Sequence, residues 1–234
     1  MSLPPCIILC GGLGSRLGEI SKQIPKCLLD IKKNKPFLYF QLKYLESSGI
    51  EEVVLSIGHM GEMIINFVEK FDTKMKIKIS DDGSKLLGTG GAVKKAIQGL
   101  NSPAFVTYGD TFLDISYKDV FEQFLINNSP LMVIYKNNSK YDKSNVFLEN
   151  KKIFYNKQNP HPNAQYIDYG LSVFSPSEFL NTKDSFDLSE IQESLSKKEM
   201  LSYYVAKKRF YEIGTPKSLN ETRNYLLKYD IERV

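Results

Sequence analysis

The stretch Cys6-Ile7-Ile8-Leu9-Cys10-Gly11-Gly12-Leu13-Gly14-Ser15-Arg16 decides the fold class of this 234-residue chain. Its first residues form a short apolar run that is typical of a buried β-strand, and the glycines predict a turn at the carboxyl end of that strand. Ligands of open α/β sheets bind at this end of the strands. Because glycine has no Cβ, it lets backbone N–H groups approach phosphate oxygens. The segment is therefore chemically suited to hold a phosphate.

Strands and helices alternate through the first half of the chain. We predict strands at residues 6–9, 52–57, 76–80 and 104–107. Each is apolar enough for a sheet that is covered on both faces. Helical spacing of apolar residues predicts helices at residues 36–48, 61–71 and 91–100, with a last helix at 216–229. The alternation indicates an α/β fold with a mostly parallel sheet and flanking helices.

The second half of the chain has a different sequence pattern, in which Asn-rich turns separate short strands. We predict these strands at residues 131–135, 145–148, 153–155 and 167–174. The pattern indicates a mixed or antiparallel part of the sheet, or a smaller subdomain laid against it. The whole length fits a single domain.

Composition excludes several classes of protein. Hydrophobic residues make up 42% and charged residues 25% of the chain, as in ordinary folded proteins. The 31 basic and 27 acidic residues are spread evenly, so no nucleic-acid or membrane-surface partner is expected. The N-terminus has no basic region, and its apolar run is too short for a signal peptide or membrane span, so we expect a cytoplasmic protein.

The three cysteines, Cys6, Cys10 and Cys27, are an odd number without the spacing of a metal site. We predict that they are small buried thiols, because free cysteine is commonly buried.

The glycine loop does not match two better-known phosphate signatures. A Walker loop requires lysine after its last glycine, where this chain has Ser15 followed by Arg16. The dinucleotide fingerprint requires glycine at the position of Leu17. The loop alone therefore leaves two alternatives, a phosphate site and a turn without a ligand.

Three further motifs follow the loop in order: Ile24-Pro25-Lys26, Leu87-Gly88-Thr89-Gly90-Gly91-Ala92 and Tyr108-Gly109-Asp110. The ordered set resembles the sugar-1-phosphate nucleotidyltransferases, or nucleoside-diphosphate-sugar pyrophosphorylases, across nearly the whole chain. The resemblance implies a Rossmann-like, glycosyltransferase-A-like fold with a smaller sugar-binding subdomain. Within the single domain 1–234, it places a nucleotide-binding half at about 1–115 and a sugar-phosphate-binding half at about 116–234.

The implied reaction transfers a nucleoside monophosphate from a nucleoside triphosphate to a sugar 1-phosphate and releases pyrophosphate. Arg16 and Lys26 match the basic pair on the triphosphate, and Asp110 matches the carboxylate that holds a catalytic Mg²⁺. These roles suit phosphoryl transfer, which depends on positioning and on cations that stabilise charge. No general base is needed, because the attacking phosphate is already anionic. The expected nucleotide-binding residues are Leu9, Gly11, Gly12, Gly14, Ser15, Arg16, Lys26, Asp82, Gly88 and Thr89.

The acceptor end is implied by two later segments. Residues 153–157 look like the strand that ends in a lysine on the acceptor phosphate, which makes Lys157 the fourth catalytic residue beside Arg16, Lys26 and Asp110. A solvated surface lysine is the structural alternative. Residues 167–171 are similar to the strand that lines the sugar pocket. The expected sugar-phosphate-binding residues are Gly109, Lys157, Tyr169 and Gly170.

A second metal ligand is implied at Glu212, in a turn where the family usually has aspartate. Glutamate is longer by one methylene, and Mg²⁺ tolerates little error in its octahedral shell. Direct coordination by Glu212 and binding through water both stay open.

The chain resembles most closely the short heptose-1-phosphate and mannose-1-phosphate guanylyltransferases, so GTP is favoured over UTP, CTP and dTTP. A carboxylate at Asp81 or Asp82 could accept hydrogen bonds from the N1–H and N2 amine of guanine, although Ser80-Asp81-Asp82-Gly83 is also a good turn sequence. The product would be a nucleotide sugar for surface polysaccharide.

Two other functions stay open: a cytidylyl- or uridylyltransferase for another phosphorylated small molecule, and a non-catalytic nucleotide-binding relative. The sequence does not give the oligomeric state, and a homodimer is the commonest assembly by base rate.

Overall fold

The computed structural model describes residues 2–12, 23–83 and 85–228. The chain divides into two compact units. Unit 1 comprises residues 1–86, 107–113 and 210–234, and unit 2 comprises residues 87–106 and 114–209. Strands and helices occur in both units, which confirms the predicted α/β class.

The strands are β1 (Cys6–Leu9), β2 (Asp30–Lys32), β3 (Lys35–Pro36), β4 (Glu52–Ile57), β5 (Lys76–Asp81), β6 (Ala104–Tyr108), β7 (Thr111–Leu113), β8 (Leu131–Lys136), β9 (Val146–Glu149), β10 (Lys152–Tyr155), β11 (Tyr166–Phe174), β12 (Ser202–Ala206) and β13 (Phe210–Glu212). The α-helices are α1 (Phe37–Ser47), α2 (Gly61–Val68), α3 (Gly88–Gln98), α4 (Tyr117–Asn127), α5 (Leu188–Lys197) and α6 (Pro216–Leu226). All eight predicted strands are present with ends within one residue of the prediction, and the four predicted helices with ends within three.

Unit 1 contains a parallel arrangement of β1, β4 and β5, with β4 in the middle. The side chains of β1 and β4 are almost all buried, because apolar residues cover both faces of these strands. The end of β6 lies on the other side of β1, and the Gly109 N–H donates to Leu9 O at 2.9 Å. The ends of β1 and β6 therefore lie next to each other, which brings the glycine loop and Asp110 to one place.

The prediction that residues 76–80 are covered on both faces is wrong. β5 is the last strand on its side of the sheet among the described residues, and its side chains are exposed or half-buried. The Nζ of Lys78 lies 2.6 Å from Oε1 of Glu52 on β4. Charged side chains on an edge strand oppose pairing with another chain, so the strand carries lysines instead of a continuous apolar run.

Unit 2 is built mainly from antiparallel strands, which confirms the predicted mixed region. β11 pairs with β8 and with β9, and β9 pairs with β10, all antiparallel, while β12 pairs with β8 in parallel. The β11–β8 register shifts between Asp168 and Ser172, where Gly170 has a φ of +86°. Helix α5 packs against α3 and against β10.

None of the helices in the described parts of the chain has the length and hydropathy of a membrane span.

Candidate active site

Unit 1 brings together Lys26 and Asp110, two of the predicted catalytic residues. Asp110 follows β6 directly, and Lys26 opens a short 3-10 turn. The Nζ of Lys26 lies 3.4 Å from Asp110 Oδ2, and the two side chains are 14% and 28% exposed. The hydroxyl of Thr111 donates to Asp110 Oδ1 at 3.2 Å. A partly exposed cation and carboxylate therefore meet at the end of β6.

Gln41 fixes the backbone on both sides of Asp110. Its Nε2 donates to Tyr108 O at 2.9 Å and to Thr111 O at 3.1 Å, and the residue is 5% exposed within α1. Two hydrogen bonds from one buried amide hold the turn that carries the carboxylate. Gln41 was not among the predicted site residues, although a polar residue between Phe40 and Leu42 in an amphipathic helix is a usable signal.

Glu212 lies beside the Asp110 turn. Strand β13 pairs with β7, which places Glu212 opposite Thr111, and the Ile213 N–H donates to Asp110 O at 3.0 Å. The hydroxyl of Thr222 binds the Glu212 carbonyl at 2.6 Å, which anchors the turn to α6. The two predicted metal ligands thus lie on neighbouring backbone segments. Among the described residues, no group of three or more His, Cys, Asp and Glu side chains could hold a metal ion.

The described part of the glycine loop contains Leu9, Gly11 and Gly12, whereas Gly14, Ser15 and Arg16 lie outside the described residues. A Cβ on Gly11 would lie 3.3 Å from the Gly58 nitrogen. A Cβ on Gly12 would have no described heavy atom within 4 Å. The packing of the described chain therefore explains the glycine at position 11, but not the one at position 12.

The three cysteines are buried free thiols, as predicted. A hydrogen bond with the Cys27 thiol, together with burial, raises the pKa of Cys10 well above the range of an ordinary thiol, and the charge of Asp110 adds to this effect. A Cβ on Gly109 would lie 2.7 Å from Cys10 Sγ and 3.0 Å from Leu9 O. Close approach of β1 thus requires glycine at position 109 whether or not it binds a sugar phosphate.

The Asp81–Gly83 segment forms the predicted turn. Asp81 Oδ1 accepts the Gly83 N–H at 2.8 Å, which gives this carboxylate a local role. The Asp82 N–H donates to Ile57 O at 2.9 Å, so Asp82 is held at the carboxyl end of β4. Recognition of guanine stays a prediction for Asp82.

In unit 2, the glycines at the start of α3 pack against another part of the chain. The N–H groups of Gly90 and Gly91 donate to Phe186 O at 2.9 and 3.3 Å. A Cβ on Gly90 would lie 2.3 Å from the Phe186 ring, and one on Gly91 would lie 2.2 Å from Asp184 O. Residues 184–186 therefore account for these two glycines of the motif without a nucleotide.

The two α3 residues predicted to bind the nucleotide, Gly88 and Thr89, contact residues 186–188. A Cβ on Gly88 would lie 2.5 Å from Phe186 O, and the residue has a φ of +69°. Thr89 Oγ1 accepts the Leu188 N–H at 2.8 Å, which joins the start of α3 to the start of α5. The nucleotide contacts of Gly88 and Thr89 stay predictions.

Lys157 has an exposed side chain two residues beyond β10. Its charge acts on Asp168, a carboxylate in β11 that was not among the predicted site residues. Burial raises the pKa of Asp168 to about 6 from its ordinary 3.8, although hydrogen bonds from Gly170 and Gln192 and the charge of Lys157 favour the ionised form. An aspartate inside a long apolar strand was the available signal for this residue.

Tyr169 and Gly170 differ in their surroundings. The ring of Tyr169 is 1% exposed and lies 6.3 Å from that of Tyr135, so it packs inside unit 2. Gly170 is half-buried, and its N–H donates to Asp168 Oδ1 at 2.9 Å. Burial favours a packing role for the ring of Tyr169.

Comparison with known proteins gives a consistent result. Residues 6–228 match the nucleotidyl transferase family. D-glycero-alpha-D-manno-heptose 1-phosphate guanylyltransferase from Campylobacter jejuni is 33% identical over 225 residues, which cover 90% of this chain and 94% of that protein. The protein of the same name from Aneurinibacillus thermoaerophilus is 28% identical over 229 residues, with 95% and 98% covered.

Among solved structures, HddC from Yersinia pseudotuberculosis complexed with GMP-PN is 26% identical, with a TM-score of 0.79, and the match covers 96% of this chain and all of that one. The family match runs from β1 to beyond the end of α6, so it includes the Lys26–Asp110 pair, Lys157 and Glu212. The resemblance to sugar-1-phosphate nucleotidyltransferases is thereby confirmed, and the chain belongs to the nucleotidyl transferase family.

Proposed function

We propose that this chain transfers guanosine monophosphate from GTP to a sugar 1-phosphate, with D-glycero-α-D-manno-heptose 1-phosphate as the favoured acceptor. An acceptor phosphate oxygen bonds to the α-phosphorus while the bond from that phosphorus to the α–β bridging oxygen breaks. The electron pair of the broken bond leaves with pyrophosphate, and the product is a GDP-sugar. The names of the two bacterial relatives and the GMP-PN complex of HddC support the choice of base and acceptor.

The observation that carries the proposal is the 3.4 Å approach of Lys26 to Asp110 at the end of β6. An ammonium group held there is suited to neutralise charge that develops on the α-phosphate and the leaving pyrophosphate. Arg16 would add a planar, bidentate cation to the same phosphates. Backbone N–H groups around Gly12 would approach the triphosphate where no described side chain intervenes.

Asp110 and Glu212 fit a magnesium ion as a donor set. Both are carboxylates, and the Ile213 N–H to Asp110 O hydrogen bond keeps their backbones adjacent. Mg²⁺ is commonly held by one or two carboxylates together with substrate phosphates and water, so a larger protein cluster is not required. When bound, the ion supplies positive charge to the phosphates.

Lys157 would bind the phosphate of the acceptor, and Gly109 and Gly170 would lie near the sugar or its phosphate. The ammonium of a lysine is a compact point charge suited to a phosphate. Asp82 would accept hydrogen bonds from guanine, which would set the preference for GTP. We further propose a cytoplasmic enzyme that supplies a nucleotide sugar for surface polysaccharide.

The test is pyrophosphate release from GTP, UTP, CTP and dTTP, each with heptose 1-phosphate, mannose 1-phosphate and glucose 1-phosphate and with Mg²⁺. We expect the fastest release with GTP and D-glycero-α-D-manno-heptose 1-phosphate. Faster release with CTP or UTP would overturn the choice of base. Nucleotide binding without release in any combination would favour a non-catalytic relative.

A further inference from the structure

We infer that helix α5 positions the acceptor-phosphate lysine, and that Asn156 and Glu193 transmit this effect as positioning residues for Lys157. The inference rests on the proposed function, because it gives a role to the turn that carries Lys157. The contacts that support it lie within unit 2.

The side chain of Asn156 binds the backbone of the turn around Lys157. Asn156 Oδ1 accepts the N–H groups of Gln158 at 3.0 Å and of Asn159 at 2.7 Å. In the sequence, Lys157 lies between Asn156 and the two residues whose N–H groups donate to the Asn156 side chain. The backbone of the lysine is therefore fixed, while its side chain is exposed and able to meet a ligand.

Helix α5 holds this asparagine from the other side. Asn156 Nδ2 donates to Glu193 Oε1 at 3.0 Å, so the carboxamide has partners at both of its ends. A carboxamide with both ends engaged has one preferred orientation, because rotation would break all three hydrogen bonds.

The strand that leads to the turn is bound to the same helix. Ser196 is 3% exposed, donates from Oγ to Ile153 O at 2.8 Å and accepts the Tyr155 N–H at 2.9 Å. Ser196 and Glu193 are three residues apart and so lie on the same face of α5. The helix therefore fixes both β10 and the turn that follows it.

Helix α5 also contacts the carboxylate on which the charge of Lys157 acts. Gln192 is 1% exposed, and its Nε2 lies 3.4 Å from Asp168 Oδ2 and 3.2 Å from Ser172 Oγ. Helix α5 thus fixes both the backbone turn that carries Lys157 and the side chain of Asp168. A lysine has a long, mobile side chain. If its backbone is already fixed, less conformational freedom is lost when the side chain binds a phosphate.

The test compares Asn156→Ala with Glu193→Gln, which keeps an oxygen that can accept from Asn156 Nδ2. With GTP and D-glycero-α-D-manno-heptose 1-phosphate as substrates, Asn156→Ala should raise the KM for the sugar phosphate about tenfold, because positioning of a binding group is lost. The KM for GTP should stay within about twofold, and Glu193→Gln should resemble the wild type in both constants.

A double-mutant cycle of Asn156→Ala with Lys157→Ala distinguishes an effect on the position of Lys157 from a general loss of structure. If Asn156 acts through Lys157, then Asn156→Ala should add little to the effect of Lys157→Ala on the acceptor KM. The inference is overturned if Asn156→Ala raises the acceptor KM a further tenfold in the Lys157→Ala variant. It is also overturned if Asn156→Ala alone leaves the acceptor KM unchanged. An equal rise in the KM for GTP also overturns it, because the effect would not be confined to the acceptor.

Failure of the proposed function has a different signature. Wild-type protein that releases no pyrophosphate with any sugar 1-phosphate rejects the reaction itself. A Lys157→Ala variant with a wild-type acceptor KM, in an active enzyme, removes Lys157 from the acceptor site and the inference with it.

Discussion

Lys26 and Asp110 form an ion pair with 3.4 Å between Nζ and Oδ2, although 84 residues separate them in the chain. Two contacts hold the turn that carries Asp110: the Gln41 side-chain amide donates to the carbonyls of Tyr108 and Thr111, and the Gly109 N–H donates to Leu9 O. Neither is local in the sequence. The fold, and not the motif itself, therefore brings the cation and the carboxylate together.

The Lys26–Asp110 pair should be essential for turnover. We expect Asp110→Asn and Lys26→Ala each to lower the rate of pyrophosphate release by about 100-fold or more. Lys26→Ala removes a cation that would neutralise the phosphates at the transition state, and Asp110→Asn removes a carboxylate that would hold the magnesium ion. Circular dichroism should show both variants folded. Lys78→Ala on the edge strand is the matched control and should keep wild-type turnover. Normal turnover in Asp110→Asn would remove the metal role of Asp110.

Two glycines near this pair should respond differently to a methyl group. Gly12→Ala should raise the KM for GTP about tenfold with little change in melting temperature, because the Cβ would have no described heavy atom within 4 Å, in space that we assign to phosphate. Gly109→Ala should lower the free energy of unfolding by about 1–3 kcal/mol, because its Cβ would lie 2.7 Å from Cys10 Sγ. Urea unfolding and steady-state kinetics of both variants provide the measurements. Equal effects on stability would argue against the ligand role of Gly12.

Local signals allowed much of this fold to be predicted. The bounds of β1 and β4 agree with the prediction to the residue, because Pro5 directly precedes β1 and Gly58 directly follows β4. Helix α5 was not predicted, although its sequence carries a helix-start signal: Asp187 and Glu190 form a capping box, and Leu188, Ile191 and Leu195 recur at helical spacing.

Long-range contacts explain what the sequence could not give. The glycines of α3 carry the same signature whether a phosphate or another chain segment approaches them, and only the fold places Phe186 against Gly90. Asp168 and Gln192 are 24 residues apart, and neither residue type predicts the other. The Lys26–Asp110 pairing was available only through the family resemblance, because no spacing rule connects the two positions.

Because α3 packs against residues 184–186, substitution of Gly91 by alanine should lower stability, whereas the same substitution at Gly99 should not. Gly91→Ala should destabilise the protein by about 1–3 kcal/mol or more, since the added Cβ would lie 2.2 Å from a backbone oxygen. Gly99 ends the same helix with a φ of −79° and has no contact closer than 3.7 Å, so Gly99→Ala should be neutral or stabilise by about 0.5 kcal/mol. Thermal melting of both variants tests this. A Gly91→Ala protein as stable as Gly99→Ala would contradict the close approach.

Asp168 should give the protein a pH-dependent stability. Because burial raises the pKa of Asp168 to about 6 in the folded state, compared with 3.8 ordinarily, the folded chain binds more protons than the unfolded chain between these values. This group therefore contributes less stability as pH rises through that window, by at most about 3 kcal/mol. Asp168→Asn does not titrate and should lose this component.

The measurement is urea unfolding of the wild type and Asp168→Asn at about pH 4.5, pH 5.5 and pH 7. The other titrating groups are common to both proteins, so their contributions cancel in the difference between the two free energies of unfolding. That difference should shift in favour of Asp168→Asn as pH rises and should level off above about pH 7. Parallel pH profiles would mean that Asp168 titrates as an ordinary exposed carboxylate, and that its burial in β11 does not oppose its charge.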